Sequence, residues 1–216
     1  MKILILDIYQ NDSWRLVKDT AGGYGTGNDF GKGYMSFFFN KFVSKMIAMP
    51  PMHAMYTFSV LKKKGVSVEY TRNLNIEEIK LYDFIILVSS IICHETEIDA
   101  LKKITELTDK KIFVTGIFGN TMKEKYSMKN SYVVPGEPEF FFNAIEPDIN
   151  LYNEFFIDKN KINEFTIESD VTKLPYPDWE YYEKKYPLKN NFLGFNSKTA
   201  VPILATRGCP YSCFNY

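Results

Sequence analysis

Three short apolar runs constrain this chain more than any other feature: "KILILDI" (2–8), "DFIILVSS" (83–90) and "KKIFVTG" (110–116). A strand with one wet face alternates apolar and polar residues. An uninterrupted run is buried on both faces, as in the centre of a parallel sheet. Parallel neighbours need crossover connections, and the stretches between the runs supply them. "PPMHAMYTFSVLKKKG" opens on Pro50 and Pro51, which suit a first helical turn, and ends at Gly65, which suits a helix C-terminus. "VSVEYTR" (66–72) alternates like a strand, and "IEEIKLY" reads as a short helix. "ETEIDALKKITELTD" puts Ile98, Leu101, Ile104 and Leu107 on one helical face. "SYVVPGEPEFFFNAI" reads as strand, turn and helix. Strand and helix in alternation define the α/β class: a Rossmann-like open parallel sheet with helices on both faces, spanning 1–146.

After Pro147 the pattern changes. "EFFIDKNKINEFTI" reads as a hairpin turning at Asp158 to Lys161. "LPYPDWEYYEKKYPLKNN" reads as a packed, aromatic interdomain linker, so 147–198 forms a hairpin-and-linker unit. "AVPILATRGCPYSCFNY" then starts a new unit at 199–216, with a strand at Val201 to Thr206 running into Cys209 and Cys213.

Composition narrows the classes further. Lys+Arg and Asp+Glu balance at 26 each, so no net field draws the protein to nucleic acid. Lys62, Lys63 and Lys64 suit the negative end of a helix instead. No apolar stretch is long enough to span a bilayer, and the N-terminus lacks the pattern of a signal peptide. The three cysteines, Cys93, Cys209 and Cys213, are too few for a disulfide framework. The expectation is a cytoplasmic, reduced setting in which neighbouring thiols serve metal or redox chemistry.

The order of these pieces resembles the N-terminal part of radical SAM enzymes that carry a cobalamin-binding-like domain. The resemblance covers most of the chain. It rests on "PPMHAMYTFSVLKKKGVSVEY", on "GIFGNTMKEKYSMKNSYVVPGEPEFFF" with its Gly136-Glu137-x-Glu139 turn, on "LPYPDWEYY" and on "ILATRGCPYSCFNY". In that family three cysteines spaced CxxxCxxC hold a four-iron four-sulfur cluster, and SAM chelates the fourth iron. Cys209 and Cys213 match the first two positions, and Tyr216 stands at the third. The barrel that follows this strand in the family needs far more chain than the few residues that come after it here. The resemblance therefore implies a truncated chain: a cobalamin-binding-type domain, a linker and the first strand of the radical SAM domain. Its parent activity is radical chemistry such as methyl transfer or rearrangement, for which a partner would have to supply the missing barrel. The competing readings are a stand-alone Rossmann-like module holding a small ligand or protein, and a remnant of a split gene.

The resemblance also implies small-molecule cofactor positions. Ser89 and Ser90, with Gly116 and Gly119, match those flanking the nucleotide tail in cobalamin modules; Gly136 and Glu137 belong to the turn after the last strand. Small residues let a ligand approach the backbone at the carboxyl edge of the sheet, though ordinary tight turns use them too. The DxHxxG histidine of the well-known module is absent after Asp7. That absence excludes a histidine-ligated mode, not cobalamin itself. Of the two histidines, His53 reads as a packed or capping residue. His94, beside Cys93, stands at a ligand-facing edge, or simply at a helix start with Glu95 and Glu97 on its positive end. "GGYGTGNDFGKG" (22–33) does not pass directly from strand to helix as a phosphate fingerprint requires, and reads as a long ordered loop over the edge. "YMSFFFNKFVSKM" reads as a buried helix in preference to a membrane-surface one. Glu137 and Glu139 read as helix-start carboxylates in preference to an acid–base pair.

Overall fold

A computed structural model describes residues 1–10, 15–18, 26–28, 33–38 and 50–186. Its elements in chain order are β1 (Lys2–Leu6), β2 (Arg15–Val17), β3 (Thr26–Asn28), α1 (Tyr34–Phe38), α2 (Met52–Lys63), β4 (Ser67–Thr71), α3 (Ile76–Ile79) and β5 (Phe84–Val88). There follow α4 (His94–Leu107), β6 (Lys111–Thr115), α5 (Ile117–Thr121), α6 (Lys123–Tyr126), β7 (Ser131–Val133), α7 (Pro138–Ala144), α8 (Ile149–Ile157) and α9 (Trp179–Lys185).

The main sheet has five strands in the order β4-β1-β5-β6-β7, and every pairing is parallel. Counted along the chain within this sheet, the order is 2-1-3-4-5, the doubly wound arrangement whose topological switch point lies between its first and third strands. Here that point lies between β1 and β5. The apolar runs behave as their patterning requires. Ile3 and Ile5 of β1, Phe84 and Ile86 of β5 and Phe113 of β6 face one layer, with α2, α7, α8 and α9. Leu4, Leu6, Ile85, Leu87, Ile112 and Val114 face the other, with α3, α4, Phe118 and Tyr126. Helices therefore cover both faces, as the sequence implies.

The hairpin expected after Pro147 is not formed. Asp158 to Lys161 do turn, with Asn160 N–H donating to Asp158 Oδ1 at 2.9 Å. They join a helix to a 3-10 turn (Lys161–Glu164), not two strands. Asp148 caps α8 by accepting from Leu151 N at 2.8 Å. The helical spacing of Tyr152, Phe155 and Phe156 sets all three rings against Phe113. The linker segment likewise contains α9, capped by Asp178 through Tyr181 N at 3.0 Å. Phe58 of α2 stacks on Tyr181 at 4.2 Å between ring centroids. The core on this face thus includes side chains from both sides of position 146.

Two further expectations change. Within the glycine-rich stretch, β3 pairs antiparallel with β2; most of the stretch lies outside the described residues. The aromatic helix is exposed over its described residues, with Tyr34 at 91% and Phe37 at 63% of full exposure. Residues 39–49 lie outside the described set, as do the strand expected at Val201 to Thr206, Cys209 and Cys213.

Candidate functional site at the carboxyl edge of the sheet

The carboxyl ends of β1, β5 and β6 form the edge where doubly wound proteins take their ligands. Its two halves are built from different chemistry.

The half between β1 and β5 is charged and closed. Asp7 follows β1, and its backbone N–H continues the ladder to Thr71 O at 2.9 Å. Glu97, in the first turn of α4, turns inward and is fully buried. Between them lies the Lys18 ammonium, 2.9 Å from Asp7 Oδ1, 2.8 Å from Glu97 Oε1 and donating to Val88 O at 3.2 Å. The Asp7 contact is an ion pair by distance without hydrogen-bond alignment. Burial alone would push the Lys18 pKa down, but the two carboxylates outweigh it and hold it above the ordinary lysine value.

Neighbours complete the network. Tyr70 Oη donates to Asp7 Oδ2 at 2.7 Å and accepts from Arg72 Nε at 3.1 Å. Tyr9 Oη donates to the same oxygen at 3.2 Å. Tyr126 Oη donates to Glu97 Oε2 at 2.8 Å. Ser90 donates to Glu97 through both its N–H and its hydroxyl, each at 2.9 Å. Arg72 also ties α9 to this half, donating from Nη2 to Tyr182 Oη at 2.5 Å.

The half between β5 and β6 is small and apolar. Ser89 Oγ donates to Thr115 O at 2.7 Å and accepts from Gly119 N at 2.8 Å. Gly116 has φ +106°, and a Cβ there would lie 2.5 Å from Ser89 O. A Cβ on Gly119 would lie 2.7 Å from Ser89 Oγ. Only glycine lets the two strand ends approach this closely. Asn120 Nδ2 donates to Val134 O at 2.8 Å and to Gly116 O at 3.2 Å, with Gly136 O at 3.4 Å, so one side chain clips the β6 and β7 loops together. Around this half, Ile91 and Ile117 remain 42% and 38% exposed.

His94 borders the same half. Its ring lies 5.3 Å from that of Phe118, across the gap between the loops after β5 and β6. Its Nδ1 lies 2.7 Å from Ile91 O. A carbonyl only accepts, so Nδ1 carries the proton, and in the neutral ring Nε2 presents a lone pair.

The structure therefore brings Ser89, Ser90, Gly116 and Gly119 together, and Asn120 links Gly136 to them. Glu137 lies at the start of α7. Glu139 lies in the first turn of α7, as the sequence implies, but is buried, with His53 Nδ1 3.2 Å from Oε1. His53 is packed against α7 and does not cap α2, which begins after Pro51. Cys93 is buried at the start of α4, and burial pushes its thiol pKa up, away from thiolate chemistry. Asp7, Lys18, Glu97, Arg72 and Asn120 are absent from the residues singled out by pattern alone as a ligand site.

For a corrin ligand, the two halves fall short in different ways. The β1–β5 half is filled by Lys18. The β5–β6 half offers exposed apolar side chains at its rim, but Ser89 occupies the space beside Gly116 and Gly119, so the residues present leave no cradle for the ring. Among the described residues no cluster of three or more metal-ligating side chains occurs, and no helix is long and apolar enough to cross a membrane. No family model, curated protein or solved structure matches the chain.

Proposed function

We propose that this chain is the N-terminal, cobalamin-binding-type part of a radical SAM protein working in the cytoplasm, with a small-molecule cofactor at the carboxyl edge of its sheet. The observation that carries the reading is the β5–β6 edge. Ser89, Gly116 and Gly119, the positions implied by the sequence resemblance, meet there in a sheet of 2-1-3-4-5 order. Fold alone would not support a function; the exposed apolar rim of that edge adds surface for a partly apolar ligand. Cys209 and Cys213 would supply two thiolates to an iron–sulfur cluster, with Tyr216 at the family's third position. Such a cluster, when bound with SAM, supplies an electron for its reductive cleavage to a radical.

Two measurements test this. Incubation with hydroxocobalamin followed by size exclusion should show corrin co-eluting with protein; free corrin alone would sink the cobalamin reading. Anaerobic reconstitution with iron and sulfide should give a broad thiolate-to-iron absorption, and a featureless visible spectrum would remove the cluster from this chain.

A second reading is a stand-alone ligand or protein-interaction module. The Lys18 network favours it, because the switch point is filled by the chain's own ammonium. Under that reading neither cofactor is retained.

A further inference from the structure

We infer that α9 is a guard helix: it caps the outward N–H groups of β4 and holds shut an edge that, once uncovered, pairs with β4 of a second copy of this chain. The inference is independent of any cofactor. The sheet has two edge strands, and they are protected differently. β7 has only three residues, and a short edge strand offers little to pair with. β4 has five, and its backbone groups alternate in direction. Ser67 N–H donates to Met1 O at 3.2 Å, and Thr71 O accepts from Asp7 N–H at 2.9 Å, so the odd-numbered residues serve β1. Val68, Tyr70 and Arg72 therefore turn their backbone groups away from the sheet.

Two of these outward donors end on ring hydroxyls from α9 and its C-terminal cap. Tyr70 N–H donates to Tyr181 Oη and Arg72 N–H to Tyr186 Oη, each at 3.1 Å. The spacing explains the match. Two residues of strand advance about 6.6 Å, and five residues along a helix advance about 7.5 Å. The helix is pinned in this register from α2: Asp178 N–H donates to Ser59 Oγ at 2.8 Å, Lys62 pairs with Asp178 Oδ2 at 2.6 Å, and Tyr181 stacks on Phe58. An uncovered edge is a template for another strand, and two-fold pairing requires a self-complementary one. Antiparallel pairing about Tyr70 sets Val68 opposite Arg72 and Glu69 opposite Thr71 of the second copy. Every outward group then finds a partner, and no like charges face each other.

Two double variants separate the hydroxyls from the rings. Tyr181→Phe with Tyr186→Phe keeps the rings and removes the acceptors. Amide exchange at Tyr70 and Arg72 should then quicken by about tenfold or more, with the mass unchanged from wild type. Tyr181→Ala with Tyr186→Ala removes the rings as well. Light scattering should then give twice the wild-type mass at high protein concentration, where the Tyr70 and Arg72 amides are protected, and fast exchange on dilution. Far-UV dichroism establishes that each variant is folded. Should the alanine pair fail to fold, Tyr186→Ala alone, which leaves the Phe58 stack in place, carries the same readout. Unchanged exchange in the phenylalanine pair overturns the capping role. A folded alanine variant that keeps the wild-type mass, or that associates with its β4 amides still exchanging fast, overturns pairing through this edge.

Discussion

The two halves of the carboxyl edge solve one problem by opposite means. Each must join strand ends that leave backbone groups in need of partners. Between β1 and β5 the gap is filled by long charged side chains that satisfy one another. Between β5 and β6 it is narrowed by glycines until Ser89 can bridge it alone. The first solution depends on charge balance and is vulnerable wherever one member is lost. The second depends on volume and leaves Ile91 and Ile117 partly exposed at its rim.

The sharpest way to break this contrast is at Lys18. Lys18→Met leaves the buried carboxylates of Asp7 and Glu97 without their cation. Breaking a buried ion pair from one side costs about 3–5 kcal/mol, so the urea midpoint should fall steeply. The neutral triple variant Asp7→Asn, Lys18→Met, Glu97→Gln should recover most of that loss, because no charge remains unpaired. A triple variant as unstable as the single one would show that packing of the lysine stem, not its charge, closes this half.

Alkaline pH probes the same half. Lys18 is held above its ordinary pKa, so the stability it contributes is complete below the unfolded-state value and is lost as pH rises through the folded one. Tyr182, raised to about 12 chiefly by burial, acts in the same direction. So do Tyr70 and Tyr126, raised by burial and by Asp7 and Glu97 respectively. In each case the native state keeps a proton that the unfolded chain releases. Stability should therefore decline from about pH 10 upward, where unfolded tyrosine and lysine titrate. Dichroism and tyrosinate absorbance should report this loss together; a flat stability profile to pH 12 would contradict it.

The glycines offer a finer comparison within the second half. Gly116→Ala should cost about 2 kcal/mol or more, since a Cβ would meet Ser89 O at 2.5 Å from a backbone with φ +106°. Gly136→Ala meets nothing within 4 Å and bears only its φ of +70°, about 1 kcal/mol. Equal costs would mean that the close approach at Ser89 carries no special weight.

These differences also measure what pattern alone could reveal. The sheet was legible because runs such as 84–88 are buried on both faces, and that is a one-dimensional signal. Ser89, Gly116 and Gly119 were legible as small residues at strand ends, and the fold brings them together. Lys18 was not. A lysine near a glycine-rich stretch is ordinarily solvated, and its partners lie 11 and 79 positions away. Glu97 reads as a helix-start carboxylate by position, and only its inward rotamer makes it part of a network. The hairpin expectation at 154–167 followed a real turn at Asp158. It gave too little weight to Asp148 as a cap and to the helical spacing of Tyr152, Phe155 and Phe156.

The smallest expected effect lies at the rim of the β5–β6 half. His94→Ala removes an exposed hydrogen bond to Ile91 O and one ring contact with Phe118. Exposed substitutions away from packed features usually change stability by no more than about 0.5 kcal/mol. The unliganded protein should therefore unfold at nearly the wild-type urea concentration, while Lys18→Met falls far below it. A large destabilisation would mean that the imidazole is a structural brace between the loops after β5 and β6. A silent substitution would set His94 apart from the packed Ser89, Gly116 and Gly119 contact beside it, where lost volume carries the energy.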